Sequence, residues 1–251
     1  MIEIFILSII QGITEFLPIS SSSHLILISK YAGFNNQSLP IDVSLHIGSF
    51  LAVVSYFRRD IFDFFSNKKL ILKILISSLP IIFVGYFLVK LNLVDALRNI
   101  KTIGWMTIIF GILLYLSDKS KQIKNINNFN YKAAILIGLF QVFSLIPGAS
   151  RSGSAITLAR FLNFGRVDSA KISFLLSIPT LGAVSIFGVY NLANSSTFDF
   201  SLLNLLSIFF SFIFSFFTIK YFLKYVKRFS LNIFVIYRMI LGVIILFFAY
   251  L

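Results

Sequence analysis

The sequence contains no cysteine, which removes disulfides, thiolate metal sites and cysteine nucleophiles together. Acid is nearly as scarce: nine Asp and Glu stand against 22 Lys and Arg, and Glu3 and Glu15 are the only glutamates. The two histidines, His24 and His46, fall in no His-x-x-Glu-His or related pattern, which argues against a zinc site. Neither a Walker loop nor a dinucleotide fingerprint occurs. Only 12% of the 251 residues are charged, about half the share found in soluble domains. A water-soluble globule is excluded.

Apolar residues fill the chain instead, at 58% of the total with 31 Phe and a mean hydropathy of +0.93. Runs such as 202–218 and 231–251 approach the ~20 residues that cross the hydrocarbon core as a helix. They recur along the whole length, so the fold class is an all-α polytopic membrane protein forming one integral membrane domain over 1–251. A net charge of +13 does not argue for nucleic acid, because the cations lie in short segments between apolar runs and report orientation in the bilayer. The partner is the lipid bilayer, with no nucleic acid. The first residues lack the basic start and small-residue cleavage site of a secretory signal, so we expect them to be retained and structural.

Hydropathy, breakers and charge divide the chain into apolar segments near 2–17, 22–33, 41–57, 70–90, 102–117, 133–146, 152–163, 170–190, 201–219 and 231–250. Four of these, 2–17, 22–33, 133–146 and 152–163, are too short or too polar to cross alone. They form two pairs, about 2–33 and 133–163, each broken by Pro and a Ser or Gly cluster. Such pairs read as re-entrant half-helices, since irregular backbone at membrane depth survives only where protein or water satisfies it.

The basic residues test this layout independently. Arg58, Arg59, Lys68, Lys69 and Lys73 form one cluster; Lys119, Lys121, Lys124 and Lys132 a second; Arg160, Arg166 and Lys171 a third; Lys220, Lys224, Lys227 and Arg228 a fourth. If all four are cytoplasmic, six segments cross once each, 133–163 dips in from the cytoplasm and 1–33 dips in from outside. The loops 91–101 and 191–200 and both chain ends then face outward. Aligning Pro18 with Pro147 sets Gln11-Gly-Ile-Thr-Glu15-Phe-Leu-Pro18-Ile-Ser-Ser-Ser-Ser-His24 beside Gln141-Val-Phe-Ser144-Leu-Ile-Pro147-Gly-Ala-Ser-Arg151-Ser-Gly153, a weak internal repeat. Inverted repeats with broken helices place a binding site near mid-membrane.

Glu15 lies in an apolar half-helix one turn after Gln11 on the same face, where an ionisable group costs roughly 2.5–3.5 kcal/mol on insertion scales; its default role is functional. Ser20, Ser21, Ser22, Ser23 and His24 offer more polar groups than capping a helix consumes. Gly148, Ser150, Arg151, Ser152 and Gly153 open a half-helix with the chemistry of an oxyanion site: exposed N–H groups at a positive dipole end, glycines and a guanidinium. Arg160 and Arg166 are placed to snorkel toward the interface, whereas Arg151 at the deepest point of its turn is not. Asp42 and His46, one turn apart at the start of a span, face either the same cavity or the outer interface.

The stretch from Gln11 to His24 resembles the Glu/Gln-x-x-x-Glu and Pro-x-Ser-Ser-x-x-His signatures of the undecaprenyl-diphosphatases, the bacitracin-resistance family. Pro147-Gly-Ala-Ser-Arg151-Ser-Gly is similar to that family's second signature, and Leu45-His46-Ile47-Gly48-Ser49-Phe50-Leu51-Ala52-Val53 to its next helix. The resemblance runs from about residue 4 to the C-terminus. It departs at Ser23, where members commonly have Gly, and at Ser154-Ala155, which replaces Ala-Thr. It implies six spans and two inverted re-entrant pairs, ten helices in all. It also implies hydrolysis of undecaprenyl diphosphate to the monophosphate and inorganic phosphate on the outer side of the inner (plasma) membrane, with Mg2+ or another divalent cation such as Ca2+. By position, Glu15 matches the essential carboxylate, Gln11 its partner in metal or phosphate binding, Ser21 the nucleophile, His24 the imidazole and Arg151 the phosphate-binding arginine. Ser20, Ser22, Gly148, Ser150, Ser152 and Gly153 fall beside them as phosphate-binding residues. The resemblance implies homodimers too, though no stretch of sequence marks an interface.

Two chemical routes are open at this stage: in-line attack by Ser21 with His24 or Glu15 taking its proton, or direct attack by water. A lipid-phosphate flippase or ion-coupled transporter is the competing class, because inverted repeats and a buried Glu also build ion sites.

Overall fold

Apolar runs bounded by Pro, Asn, Ser and basic clusters become helices in the computed structural model, which describes residues 1–32, 34, 38–61, 68–91, 93–194 and 201–251. Ten principal helices follow in order: α1 (Ile2–Thr14), α2 (Ser21–Ala32), α3 (Leu39–Tyr56), α4 (Lys68–Lys90), α5 (Ile100–Asp118), α6 (Tyr131–Gln141), α7 (Arg151–Phe161), α8 (Arg166–Ala193), α9 (Leu202–Val226) and α10 (Asn232–Tyr250). Single turns lie at Val94–Leu97, Ile126–Asn128 and Val142–Leu145, and the described residues form no strand. Asn side chains set several starts: Asn99 accepts from Lys101 N at 2.8 Å and Asn130 from Ala133 N at 2.9 Å. The last residue of the 22–33 segment and most of the 191–200 loop lie outside the described residues.

Among the described residues six helices, α3, α4, α5, α8, α9 and α10, are long and apolar enough to cross a membrane; the protein is polytopic. Leu79 and Phe83 on α4, Phe209 on α9, and Ile240 and Phe247 on α10 remain exposed, as a lipid-facing surface requires. The segments 170–190 and 201–219 prove longer than hydropathy suggested. α8 starts at Arg166 and α9 runs to Val226, because basic residues at membrane-proximal turns continue a helix without burying charge.

Helix partners repeat along the chain. α1 packs on α9 as α6 packs on α4; α3 packs on α9 as α8 packs on α4; α1 pairs with α2 as α6 pairs with α7. α3 also packs on α8, α5 on α10, and α7 on both α8 and α5. Small and hydroxylated residues carry these contacts, since lipid offers no hydrophobic force between helices. Ser49 Oγ lies 3.1 and 3.0 Å from Ser211 and Ser215 Oγ, Ser211 donates to Leu45 O at 2.7 Å, and Asn204 donates to Ser44 Oγ at 3.1 Å. Gly12 lets α1 approach the α9 backbone, where a Cβ would stand 2.9 Å from Ser215 N, and Gly138 does the same for α6 against Ser77 of α4.

The basic end of the bundle is tied by Asp118 at the end of α5. Arg166 grips it with two hydrogen bonds of 2.7 and 2.9 Å, Leu231 N donates to it at 3.0 Å, and Arg160 Nε stands 3.6 Å away. Arg160 does not snorkel. It is fully buried and donates to the carbonyls of Asp118, Ser120, Lys121 and Phe164, so a ring of carbonyls replaces the water that snorkelling would have reached. Asp118→Ala removes the only carboxylate facing that guanidinium among the described residues. It is expected to cost about 3–5 kcal/mol, the scale for breaking a buried ion pair, read as a fall of roughly 10 °C in the melting temperature in detergent.

Candidate active site

Two turns of like construction meet in the middle of the bundle. α1 ends at Thr14 and Glu15 is its cap residue, with helical φ and ψ and its N–H on Gln11 O at 3.0 Å. Glu15 therefore closes the helix rather than lying inside it. Pro18 bars continuation, and Ser20 takes a φ of +76° before α2 starts at Ser21. In the second turn Gly148 has a φ of +104° and Ser150 one of +71°, directly before α7 starts at Arg151. Left-handed φ values are uncommon for residues other than Gly, and strain of this kind clusters at functional sites.

Ser20 and Ser150 thus hold the same place, which shifts the internal repeat by one residue from an alignment on the prolines. Counting outward from these serines pairs Gln11 with Gln141, Thr14 with Ser144 and Ser22 with Ser152, and sets Ser21 opposite Arg151 as the first residue of each half-helix. Ser150 also caps its helix, its Oγ accepting from Gly153 N at 3.1 Å, whereas Ser20 Oγ lies 3.3 and 3.0 Å from the hydroxyls of Ser22 and Ser23. The turns bind each other directly, through Gly148 N to Ser20 Oγ at 3.3 Å and Ser152 Oγ to Leu17 O at 2.7 Å.

Glu15 is where the two first residues converge. Ser21 Oγ donates to Glu15 Oε2 at 2.7 Å, Arg151 Nη2 reaches Oε1 at 3.3 Å, and Gln11 Nε2 donates to Oε2 at 3.2 Å. Arg151 Nη1 donates to Ser173 O at 3.1 Å, while its buried Nε has no partner. The first N–H groups of α2 and α7 lack helical acceptors, and each helix start carries about half a positive charge. Arg151 and two helix starts against one carboxylate leave a positive site with spare donors.

These groups floor a cavity of about 520 Å3. Glu15, Ser20, Ser21, Ser22, Ser150 and Arg151 line it, with Ile81, Ile82, Gly85 and Val89 of α4 and Thr180, Leu181, Val184 and Phe187 of α8 forming apolar walls. Leu97 and Arg98 from the α4–α5 connection also line it, at the end of the bundle away from the four basic clusters.

Not every residue picked from the sequence reaches this cavity. Gln11, Gly148, Ser152 and Gly153 lie behind its lining, and the N–H groups of Gly148 and Gly153 are already taken by Ser20 and Ser150; the polar side chains that the second turn brings to the lining are those of Arg151 and Ser150. His24, expected across the turn from Glu15, turns away. Its Nδ1 is 2.6 Å from Ser20 O and its Nε2 2.6 Å from the Tyr237 hydroxyl of α10. A carbonyl only accepts, so Nδ1 donates and the neutral ring is satisfied by these two contacts. The histidine in the cavity wall is His46, which shares the lining with Asp42; their spacing of one turn at the start of α3 was the signal.

Arg238 of α10 had no such signal, being one cation in an apolar run. It is fully buried and donates to Pro18 O at 3.0 Å, Gly148 O at 2.7 Å, Ala149 O at 3.2 Å, Met106 O at 3.3 Å and Thr107 O at 3.1 Å. One guanidinium therefore holds both turns and α5.

Fold and site define a polytopic membrane protein in which two broken helix pairs build one cavity around a paired acid and guanidinium. The chain belongs to the family described as bacitracin resistance protein BacA, which it matches over residues 4–244. It is 52% identical over 251 residues to a protein of Pelagibacter ubique (strain HTCC1062) named undecaprenyl-diphosphatase, covering 99% of this chain and 98% of that one. It is 37% identical over 261 residues to an undecaprenyl-diphosphatase of Jannaschia sp. (strain CCS1), covering 98% of each, and 40% identical over 257 residues to undecaprenyl-diphosphatase 1 of Pseudoalteromonas translucida (strain TAC 125), covering 96% of each.

Proposed function

We propose that this protein hydrolyses undecaprenyl diphosphate to undecaprenyl phosphate and inorganic phosphate at the outer face of the plasma membrane, recycling the lipid carrier of cell-wall synthesis and conferring resistance to bacitracin. The observation that carries this reading is the Ser21 hydroxyl 2.7 Å from one oxygen of Glu15, with Arg151 on the other. Supporting it are the family, the relatives' shared name, and a cavity that joins a cationic floor to apolar walls. Outward orientation rests on the basic clusters lying at the opposite end; on that orientation the two five-helix halves are inverted repeats and their broken pairs are re-entrant.

Arg151 and the starts of α2 and α7 hold the terminal phosphoryl group and spread the charge that builds in its transfer. Ser21 Oγ attacks the terminal phosphorus as its proton passes to Glu15; the bridging P–O bond breaks and undecaprenyl phosphate leaves with the electron pair. Water then attacks the seryl phosphate: the Ser21 Oγ–P bond breaks, the proton held by Glu15 returns to Ser21 Oγ, and inorganic phosphate departs with the protons of the water. His24 holds the Ser20 carbonyl and so the start of α2. The prenyl tail lies along the α4 and α8 walls.

A divalent cation fits the donors present. Gln11 turns its amide nitrogen to Glu15 and lies behind the lining, so Glu15 would be the one side chain to hold the cation, which suits Mg2+ or Ca2+ completed by diphosphate and water. Among the described residues no group of three or more His, Cys, Asp or Glu gathers to form a closed cage. When bound, such a cation withdraws charge from the phosphate oxygens.

The test is phosphate release by purified protein in detergent. One inorganic phosphate per lipid consumed is expected; saturable binding of the lipid without consumption indicates a transporter and contradicts the proposal. Acid quenching during turnover of terminally labelled substrate is expected to trap phosphoserine in the wild type and none in Ser21→Ala, whose kcat falls ~10³-fold or more, in scale with loss of a nucleophile. Full activity in Ser21→Ala leaves only direct attack by water.

A further inference from the structure

His46 lies outside the mechanism above although it shares the cavity lining with Glu15, Ser21 and Arg151. Its Nδ1 is 3.1 Å from Gln11 Nε2, and that same amide nitrogen is 3.2 Å from Glu15 Oε2. Turning the amide over would set Gln11 Oε1 against the carboxylate, acceptor against acceptor, so Glu15 fixes which way the amide points. Its two N–H bonds then serve Glu15 and His46.

Three consequences follow in order. His46 Nδ1 is an acceptor and carries no proton; the ring proton of the neutral imidazole is on Nε2; and Nε2 has no hydrogen-bond partner among the described residues. A donor whose tautomer is fixed by a buried amide, on the wall of a cavity for phosphate, is a built contact for a phosphate oxygen rather than a packing group. Packing histidines satisfy both nitrogens, as His24 does within the same protein.

We infer that His46 is a catalytic residue, its Nε2–H donating to the diphosphate as the bridging bond breaks. The inference rests on the hydrolase reading above and adds to it a donor from α3, a helix that contributes none of the other reacting groups. Gln11 then acts as a positioning residue that links this donor to Glu15.

Two amide variants separate the ring's two ends. In His46→Asn the shorter amide reaches the place of Nδ1 and keeps an acceptor for Gln11, but offers nothing at the place of Nε2. In His46→Gln the longer side chain returns an N–H to the place of Nε2 and gives up the Gln11 contact. Both are assayed for phosphate release from undecaprenyl diphosphate, with melting temperature as the control for folding. The expected result is that Asn lowers kcat ~10²-fold, the scale for losing one transition-state donor, with KM within about threefold, and that Gln regains at least tenfold of that loss. Wild-type kcat in the Asn variant, or a Gln variant no better than Asn, overturns the assignment of His46 alone. Absence of phosphate release by the wild type overturns the hydrolase reading and this inference together.

Discussion

Glu15→Gln is expected to reduce turnover ~10³-fold or more, within the range contributed by a positioned general base, while the protein stays folded. The substitution is nearly isosteric and keeps an acceptor for the Ser21 hydroxyl, but an amide does not take the proton that Ser21 must lose. It also leaves Arg151 without its ionic partner on a cavity floor already charged by two helix starts. Substrate is thus expected to bind at least as well to the variant, because the anion no longer competes with a carboxylate, and the loss falls on kcat. Steady-state kinetics of phosphate release check this split. A rise in KM with kcat unchanged would make Glu15 a binding group and remove it from proton transfer. Arg151→Lys complements the test: it keeps the charge and loses the planar fork, and a ~10²-fold fall is expected.

Arg238→Met is expected to lower both stability and activity, although residue 238 touches no part of the cavity lining except through the turns. The carbonyls of Pro18, Gly148 and Ala149 lose their donor in one change. Each buried acceptor left unpaired costs about 1–3 kcal/mol, and removing a charge from the interior returns part of the sum. A net loss of about 3 kcal/mol corresponds to roughly 10 °C in melting temperature for a chain of this size. Below that temperature the folded variant is still expected to be slow, since Ser20 and Ser150 no longer have their turns held at one spacing and Ser21 drifts from Arg151. Thermal melts and activity at low temperature measure the two effects separately. A variant that melts early yet turns over normally in the cold would confine Arg238 to structure.

Much of this arrangement was legible before any coordinate. Length and hydropathy distinguish the six spans from the short helices, and Pro18 and Pro147 mark the breaks. Glu15 and Arg151 stand out because ionisable groups in apolar segments are costly. What escaped depends on direction and register. His24 and His46 are alike in sequence; only the rotation of α2 about its axis sends one to Tyr237, while α3 sends the other to the cavity. The repeat is anchored by the left-handed serines rather than by the prolines, and a φ value leaves no trace in composition. Arg160 is placed by sequence to snorkel and Arg238 gives no signal, yet both end among backbone carbonyls that irregular turns expose. Ser211 and Ser215 vanish into the hydropathy average of α9 although they set its packing on α3.

The central claim is that both turns hold one diphosphate between them. A structure with a methylene-bridged, non-hydrolysable analogue of undecaprenyl diphosphate tests it most directly. The head group is expected on the cavity floor, its terminal oxygens within about 2.7–3.2 Å of Arg151 and the first N–H groups of α2 and α7, and the prenyl chain between α4 and α8. A head group bound elsewhere, such as among Lys220, Lys224, Lys227 and Arg228 at the basic end, with the floor unchanged, would contradict it.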